Sequence, residues 1–332
     1  MQYAHDTMHD PGIVRARERA DALAPPGPAR ATIGSSDVLL GTAGWTDPTL
    51  IAPGVFYPEG TNTPEARLRF YATRFPLVEV DSSYYALPTA RNAELWLERT
   101  PDDFVFDVKA YSLLTGHAAE PSRFPKALRE ALPPELAAQR RVYGKDLPHE
   151  FRDEIWRLFA EALAPLHEAK RLGAVLMQYP KWIRPGPYTA RMLERTRERL
   201  GDLPVAVEFR HRDWLGAAFR DRTLALLRDH GMSYVMVDEP QGLESSVPAA
   251  VAVTSPRLAV IRMHGRRGDT WEKPGATVME KYRYLYDAAE LGEWVPRIEQ
   301  AAEAAKQVHV VFNNCYGNYG TTNALEMNEL LR

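Results

Sequence analysis

The chain has 332 residues, 45% of them hydrophobic and 26% charged, the balance of an ordinary soluble globular protein. A net charge of -3 argues against a surface built wholly for nucleic acid, although a local basic cleft is compatible with it. One cysteine, Cys315, excludes an internal disulfide, and no apolar run approaches the roughly 18 residues of a membrane span.

The N-terminal stretch MQYAHDTMHDPGIVRARERA is charged throughout and lacks the apolar core of a signal peptide, so the expected location is cytoplasmic, with no membrane partner. DALAPPGPARATIGSS has linker composition. Residues 1–36 therefore read as a flexible N-terminal extension, with a short helix at Arg15 to Ala24 that has no clear apolar stripe. Residues 37–332 read as one domain.

From there, short apolar runs alternate with longer amphipathic ones. The runs are DVLLGTAG, PLVEVDSS, FVFDVKA, GAVLMQYP, PVAVEFRH, SYVMVDEP, LAVIRMHG and HVVFNN. Helices are predicted over Pro64–Phe75, Thr89–Arg99, Phe151–Arg171, Tyr188–Leu200, Asp221–His230, Ala289–Lys306 and Asn323–Leu331. Continuous apolar strands separated by helices specify a parallel sheet covered on its outer side. Eight such units predict an α/β fold, a closed (β/α)8 barrel. Two segments deviate. QGLESSVPAAVAVTSPR has little helical character, so the sixth helix is expected to be missing, and a long insertion, GHAAEPSRFPKALREALPPELAAQRRVYGKDLPHE, separates strands three and four.

The strand ends are polar, and in such barrels they face the active site. Strand two ends in Glu79 and Asp81, strand three in Asp107 and Lys109, strand four in Gln178. Strand five ends in Glu208 and Arg210 followed by His211, strand six in Asp238, strand seven in Arg262 and His264, and strand eight in Asn313 and Asn314. Any one of these is ordinary; their convergence on one rim predicts a shared mouth. Trp45, Tyr84, Tyr85, Tyr111, Trp182, Trp214 and Trp271 follow strands on the same side, and Tyr282, Tyr284 and Tyr286 alternate in a loop expected to lie over the mouth.

The motifs GTAGWTDP…FYP, VEVDSSYYALPT, W…TPDDFVFDVKAY, AVEFRHRDWL, VMVDEP, IRMHGR and FNNCYGNYGTTNAL, in this order from about Val38 to Leu331, resemble the YecE-like family, domain of unknown function 72. The resemblance implies a TIM-barrel-like fold and carries no activity. The family's recurring polar positions correspond here to Glu79, Lys109, Glu208, Arg210, His211, Asp238, Arg262, His264, Asn313 and Asn323. Where the family pattern commonly reads Asn-Ser-Thr-Phe-Tyr, this chain has Asp81-Ser82-Ser83-Tyr84-Tyr85, which brings in a carboxylate.

The residues favour an acid-base enzyme (a hydrolase, isomerase or lyase) acting on a small anionic or sugar-like substrate. In this reading Glu208 and His264 form the acid-base pair, with Asp238 and Glu79 as further catalytic carboxylates. Lys109, Arg210, His211, Arg262, Asn313, Asn323, Tyr85 and Trp214 bind substrate, and Arg262→Lys is expected to spare folding while weakening anion binding. No cofactor is expected. The runner-up is a single divalent metal held by Glu79, Glu208, Asp238 and His264, in an isomerase or phosphodiesterase; against it, Arg residues stand beside each ligand. A nucleotide or single-stranded nucleic-acid binder is the non-enzymatic alternative, not favoured by the net acidity. A retaining glycosidase is rejected because strand seven offers Arg262 and His264 in place of a carboxylic acid. Cys315 lacks a base aimed at it and reads as passive. Substrate, reaction and oligomeric state are left open by the residues.

Overall fold

The computed structural model describes residues 10–23 and 27–332. Among these residues eleven strands form: β1 (Arg30–Ile33), β2 (Ser36–Ala43), β3 (Leu77–Val80), β4 (Val105–Lys109), β5 (Ala118–Ala119), β6 (Val142–Tyr143), β7 (Leu172–Gln178), β8 (Val205–Glu208), β9 (Ser233–Asp238), β10 (Leu258–Met263) and β11 (Gln307–Phe312). The order β2-β11-β10-β9-β8-β7-β4-β3 is parallel throughout, and β2 also pairs with β3, which closes the sheet into a TIM-like barrel. Closure leaves the eight strands without a free edge.

The eight apolar runs are the eight barrel strands. The expected helices form with shifted ends. Pro64–Arg74 starts at its proline under the Thr63 cap, and Thr89 caps Ala90–Glu98 in a reciprocal box with Asn92. The stretch expected as one helix at 289–306 is two, Ala288–Gly292 and Val295–Ala304, broken at Glu293–Trp294 where the Trp294 indole turns inward to reach Asp238. No helix forms between β9 and β10, as the composition of 241–257 required. The insertion after β4 folds into short helical turns around the β5–β6 pair and buries Phe124, Leu128, Leu132 and Val142.

The N-terminal segment differs from its reading as an appendage. Helix Pro11–Asp21 begins at an Asp10 cap and lays Ile13 and Ala16 against Ala52, Val55 and Tyr319. Two buried residues, Ile13 and Ala16, make this contact, too few to register as an apolar stripe. Arg19 grips Glu326 with two hydrogen bonds of 2.6 Å, and β1 pairs antiparallel with β2, so a boundary at 36/37 would cut through the sheet. Readings that fall on residues 1–9 and 24–26 lie outside the described residues.

The strands' outer faces pack against the helices in one large apolar core. The barrel's interior is different. Leu39, Ala43, Leu77 and Val311 form a small apolar cluster there, Val235, Val237 and Val260 share the inner face, and charged side chains stand among them. Asp107 and His309 pair at 2.9 Å across the interior, and His309 reaches Gln307 with its other nitrogen. The rest of the interior charge lies toward the C-terminal strand ends.

Candidate functional site

Arg262 is the centre of the mouth's floor. Its Nε and Nη2 donate to the two carboxylate oxygens of Glu79 at 2.8 and 2.6 Å, and its Nη1 donates to Glu208 at 2.6 Å. The side chain is fully buried. Such a side chain is tolerable only because each charge is paired and hydrogen-bonded. Arg262 is thus committed to protein carboxylates, and the expected direct contact with substrate is corrected: it lies below the mouth and fixes the groups that line it.

Glu208 carries three partners besides Arg262. Arg210 Nε lies 2.5 Å away, Gln178 donates at 3.1 Å, and His264 Nε2 is at 3.3 Å. Burial disfavours its charge, but Arg210, Arg262 and His264 outweigh burial and hold the carboxyl well below its ordinary range. His264 is also fully buried, with Arg210 Nη2 at 3.0 Å from Nε2 and the Asn313 amide at 2.9 Å from Nδ1. Burial, reinforced by Arg210, pushes its pKa down to about 3, so the ring is neutral. The expected acid-base pairing of these two is therefore corrected. One is a fixed anion and the other a fixed neutral ring, and neither changes protonation near pH 7.

The groups poised near neutrality are others. Burial pushes Glu79 up to about 8, with Arg262 opposing and Asp81 adding to the shift. At the neighbouring Asp81, burial is outweighed by Lys109 and Arg262, and the carboxyl stays below its ordinary value. Lys109 Nζ sits 3.0 Å from Asp81, whose side chain keeps 30% of its surface exposed. Glu239, which the sequence reading passed over, is raised to about 8 by burial; its oxygens accept from Arg210 at 3.0 Å and from the Val247 amide at 2.8 Å.

Asp238 is the clearest correction. Met263 is its register partner, as Val237 is that of Arg262. Since side chains alternate, Arg262 pointing inward puts Asp238 on the outer face and Glu239 inside. There Asp238 accepts from Arg266 (2.8 Å), Tyr286 (2.8 Å) and Trp294 (2.5 Å). Counting by twos puts Glu239 on the face of Val235 and Val237, and only the register with Arg262 shows that this face is the inner one. The proposed metal cage fails for the same reason, compounded by the Arg262 guanidinium between Glu79 and Glu208. Among the described residues no group of three or more His, Cys, Asp or Glu is placed to hold a metal ion.

Other expected substrate ligands are also structural. Trp214 is buried, stacked 4.0 Å from Phe209, and donates to Ile183 O. His211 accepts from Asp213 N at the start of the turn Arg212–Leu215. Asn323 and Asn314 bond each other and the Tyr284–Tyr286 backbone outside the mouth. Cys315 donates to Ala43 O, and burial pushes its thiol well above the ordinary range, as a passive role requires.

The loop after β10 covers the mouth. It turns at Gly265, where φ is +90° and an added Cβ would lie 2.5 Å from Tyr284 Cβ. Trp271 and Tyr282 come down over His264, at ring distances of 6.1 and 5.9 Å. Tyr282 thereby splits the mouth into two clefts. One of about 260 Å³ is lined by Asp81, Tyr85, Trp45 and Asn313. The other, about 530 Å³, is lined by Gln178, Arg210, Trp182 and Trp271.

Fold and site together define a TIM-barrel protein with buried charge beneath a lidded mouth. A family profile described as "Protein of unknown function DUF72" matches residues 39–332. The chain belongs to the DUF72 family. It is 33% identical over 297 residues to the UPF0759 protein YunF of Bacillus subtilis, covering 89% of this chain and 94% of that one. A DUF72 family protein of Thermotoga maritima is similar with TM-score 0.69 and 30% identity, over 89% of this chain and 98% of that one. One from Enterococcus faecalis is similar with TM-score 0.71 and 27% identity, over 89% and 95%.

Proposed function

We propose that the protein is an acid-base enzyme acting on a small anionic, hydroxylated substrate in the barrel mouth. The observation that carries this reading is the Glu79–Asp81 pair, two neighbouring carboxyls whose pKa values are driven apart, Asp81 lining the smaller cleft and Glu79 buried beside it. Two titratable groups split in this way define a proton donor and a proton acceptor. Asp81, ionised and partly exposed, takes a proton from a substrate hydroxyl or carbon acid. Glu79 keeps its own proton up to about pH 8, so the pair is singly protonated at neutral pH. Lys109 faces the developing negative charge and Asn313 orients a substrate oxygen. Glu208 and Arg262 hold these groups still.

The test is a thermal-shift and turnover screen of phosphorylated and carboxylated sugars on the wild type, Lys109→Met and Asp81→Asn. The expected result is stabilisation of the wild type, binding weakened about tenfold or more by Lys109→Met, and turnover abolished with binding retained in Asp81→Asn. A loss of one charge-assisted hydrogen bond, about 1.5–3 kcal/mol, sets that scale. Ligands that act on all three proteins alike would overturn the reading.

A further inference from the structure

The larger cleft has a composition the proton-transfer reading does not use. Its walls carry Lys181, Arg210, Lys273 and Lys281 against a single carboxylate, Glu272. That carboxylate is already engaged by the Ser245 amide at 2.9 Å. Arg210 gives one Nη1 N–H to Glu239 and one Nη2 N–H to His264 and lies against Glu208 through Nε, so each terminal nitrogen keeps one N–H without a partner among the described residues. The cleft therefore presents excess positive charge with donors unspent, which is what a phosphate requires.

Beside the cations stand flat side chains. Trp182 leaves 56% of its surface in water, although a large indole is normally covered. His117 meets it edge-on at 5.6 Å and lies edge-on to Tyr84 at 5.3 Å on its other side, so the loop carrying Trp182 is braced. Burial, then Lys109 and Arg210, pushes the His117 pKa down to about 4, which keeps that ring neutral between two cations. Across the cleft, Arg210 lies 5.2 Å above the Trp271 ring, and Tyr282 stands edge-on to Trp271 at 5.8 Å. An exposed indole a few residues from clustered lysines is a stacking surface for a planar ring attached to an anion. At about 530 Å³ the cleft is within the usual size of a small-molecule site.

We infer that this cleft binds a nucleoside monophosphate, with the base on Trp182 and the phosphate among Lys181, Lys273, Lys281 and Arg210. A single nucleotide is favoured over a strand because the charge is confined to one cleft of a chain with net charge -3, where a strand needs a basic groove along its backbone. The inference shares the mouth with the acid-base reading but none of the roles assigned to Glu79 and Asp81.

The experiment is calorimetric titration of the full chain with adenosine 5′-monophosphate, inorganic phosphate, adenosine and a short single-stranded oligonucleotide, at low and moderate salt. The variants are Trp182→Ala and the double variant Lys181→Ala/Lys273→Ala, all at exposed positions that leave folding intact. The monophosphate is expected to bind at least tenfold more tightly than phosphate or adenosine alone. Trp182→Ala should weaken it about tenfold, and the lysine pair should weaken it further and flatten its salt dependence. Equal binding to wild type and Trp182→Ala, no binding of the monophosphate, or an oligonucleotide that binds a hundredfold more tightly would each overturn the inference. Monophosphate binding without turnover of any sugar screened upholds the cleft while the acid-base reading fails; sugar turnover without monophosphate binding does the reverse.

Discussion

Arg262 donates to both oxygens of Glu79, at 2.6 and 2.8 Å and with no solvent exposure, in the centre of the barrel. Its remaining nitrogen, Nη1, donates to the ionised Glu208, which Arg210 also faces, so one guanidinium ties two buried carboxyl groups together. Arg262→Lys keeps the charge but cannot satisfy three acceptors in the plane of a fork. It should destabilise the fold by about 3–5 kcal/mol, the range for stripping a partner from a buried ion pair. Urea denaturation measures this directly, and a loss below about 1 kcal/mol would mean the floor rearranges around lysine.

Asp238 predicts a separation of stability from ligand binding. Asp238→Ala leaves the Tyr286 hydroxyl and the Trp294 indole without their acceptor and Arg266 hydrogen-bonded to Glu293 alone, so a loss of at least about 3 kcal/mol is expected. Because its side chain lies on the outer face of β9, ligands that stabilise the wild type should raise the melting temperature of the variant by a similar amount. Ligand response lost selectively in a variant that still folds would return Asp238 to the site.

His117 makes one separable contribution to the pH dependence of stability, beside those of His264, Glu79 and Glu239. Its pKa falls to about 4 in the fold, while the unfolded chain titrates near 6.5. Between those values the unfolded state binds more protons, so stability rises with pH across the window and is lost as pH falls from 6.5 toward 4. His117→Asn removes that contribution. The wild type should lose up to about 1.4 kcal/mol per pH unit relative to the variant between pH 6 and 4, read from paired denaturation curves. Parallel curves would mean that His117 is charged in the fold.

Ile13 tests the docked N-terminal helix. The side chain is 1% exposed against Tyr319, and Ile13→Ala should cost about 2 kcal/mol or more. Arg19→Ala should loosen the same contact, since Arg19 ties the helix to Glu326 and the Tyr286 carbonyl. Limited proteolysis within residues 10–23 is the readout; unchanged cleavage in both variants would mean the helix is held elsewhere.

The barrel was legible in the sequence because it rests on local periodicity. Eight apolar runs such as LAVIRMHG, separated by helical stretches, can be counted without knowing what touches what, and strand alternation alone puts Arg262 and His264 on one face. Position along the chain also told which residues reach the C-terminal rim. It did not tell which of them point inward, because that depends on the register between neighbouring strands. Asp238 and Glu239 are consecutive carboxylates, and only the pairing of Val237 with Arg262 turns the second into the mouth and the first toward Trp294. Protonation was beyond the sequence for the same reason. Glu208 and Glu79 are both acids at strand ends, yet one faces Arg210, Arg262 and His264 and stays charged, while the other faces a single Arg and the Asp81 carboxylate and keeps its proton. A pKa is set by distances to charges far apart in the chain, and only closing the barrel brings those charges together.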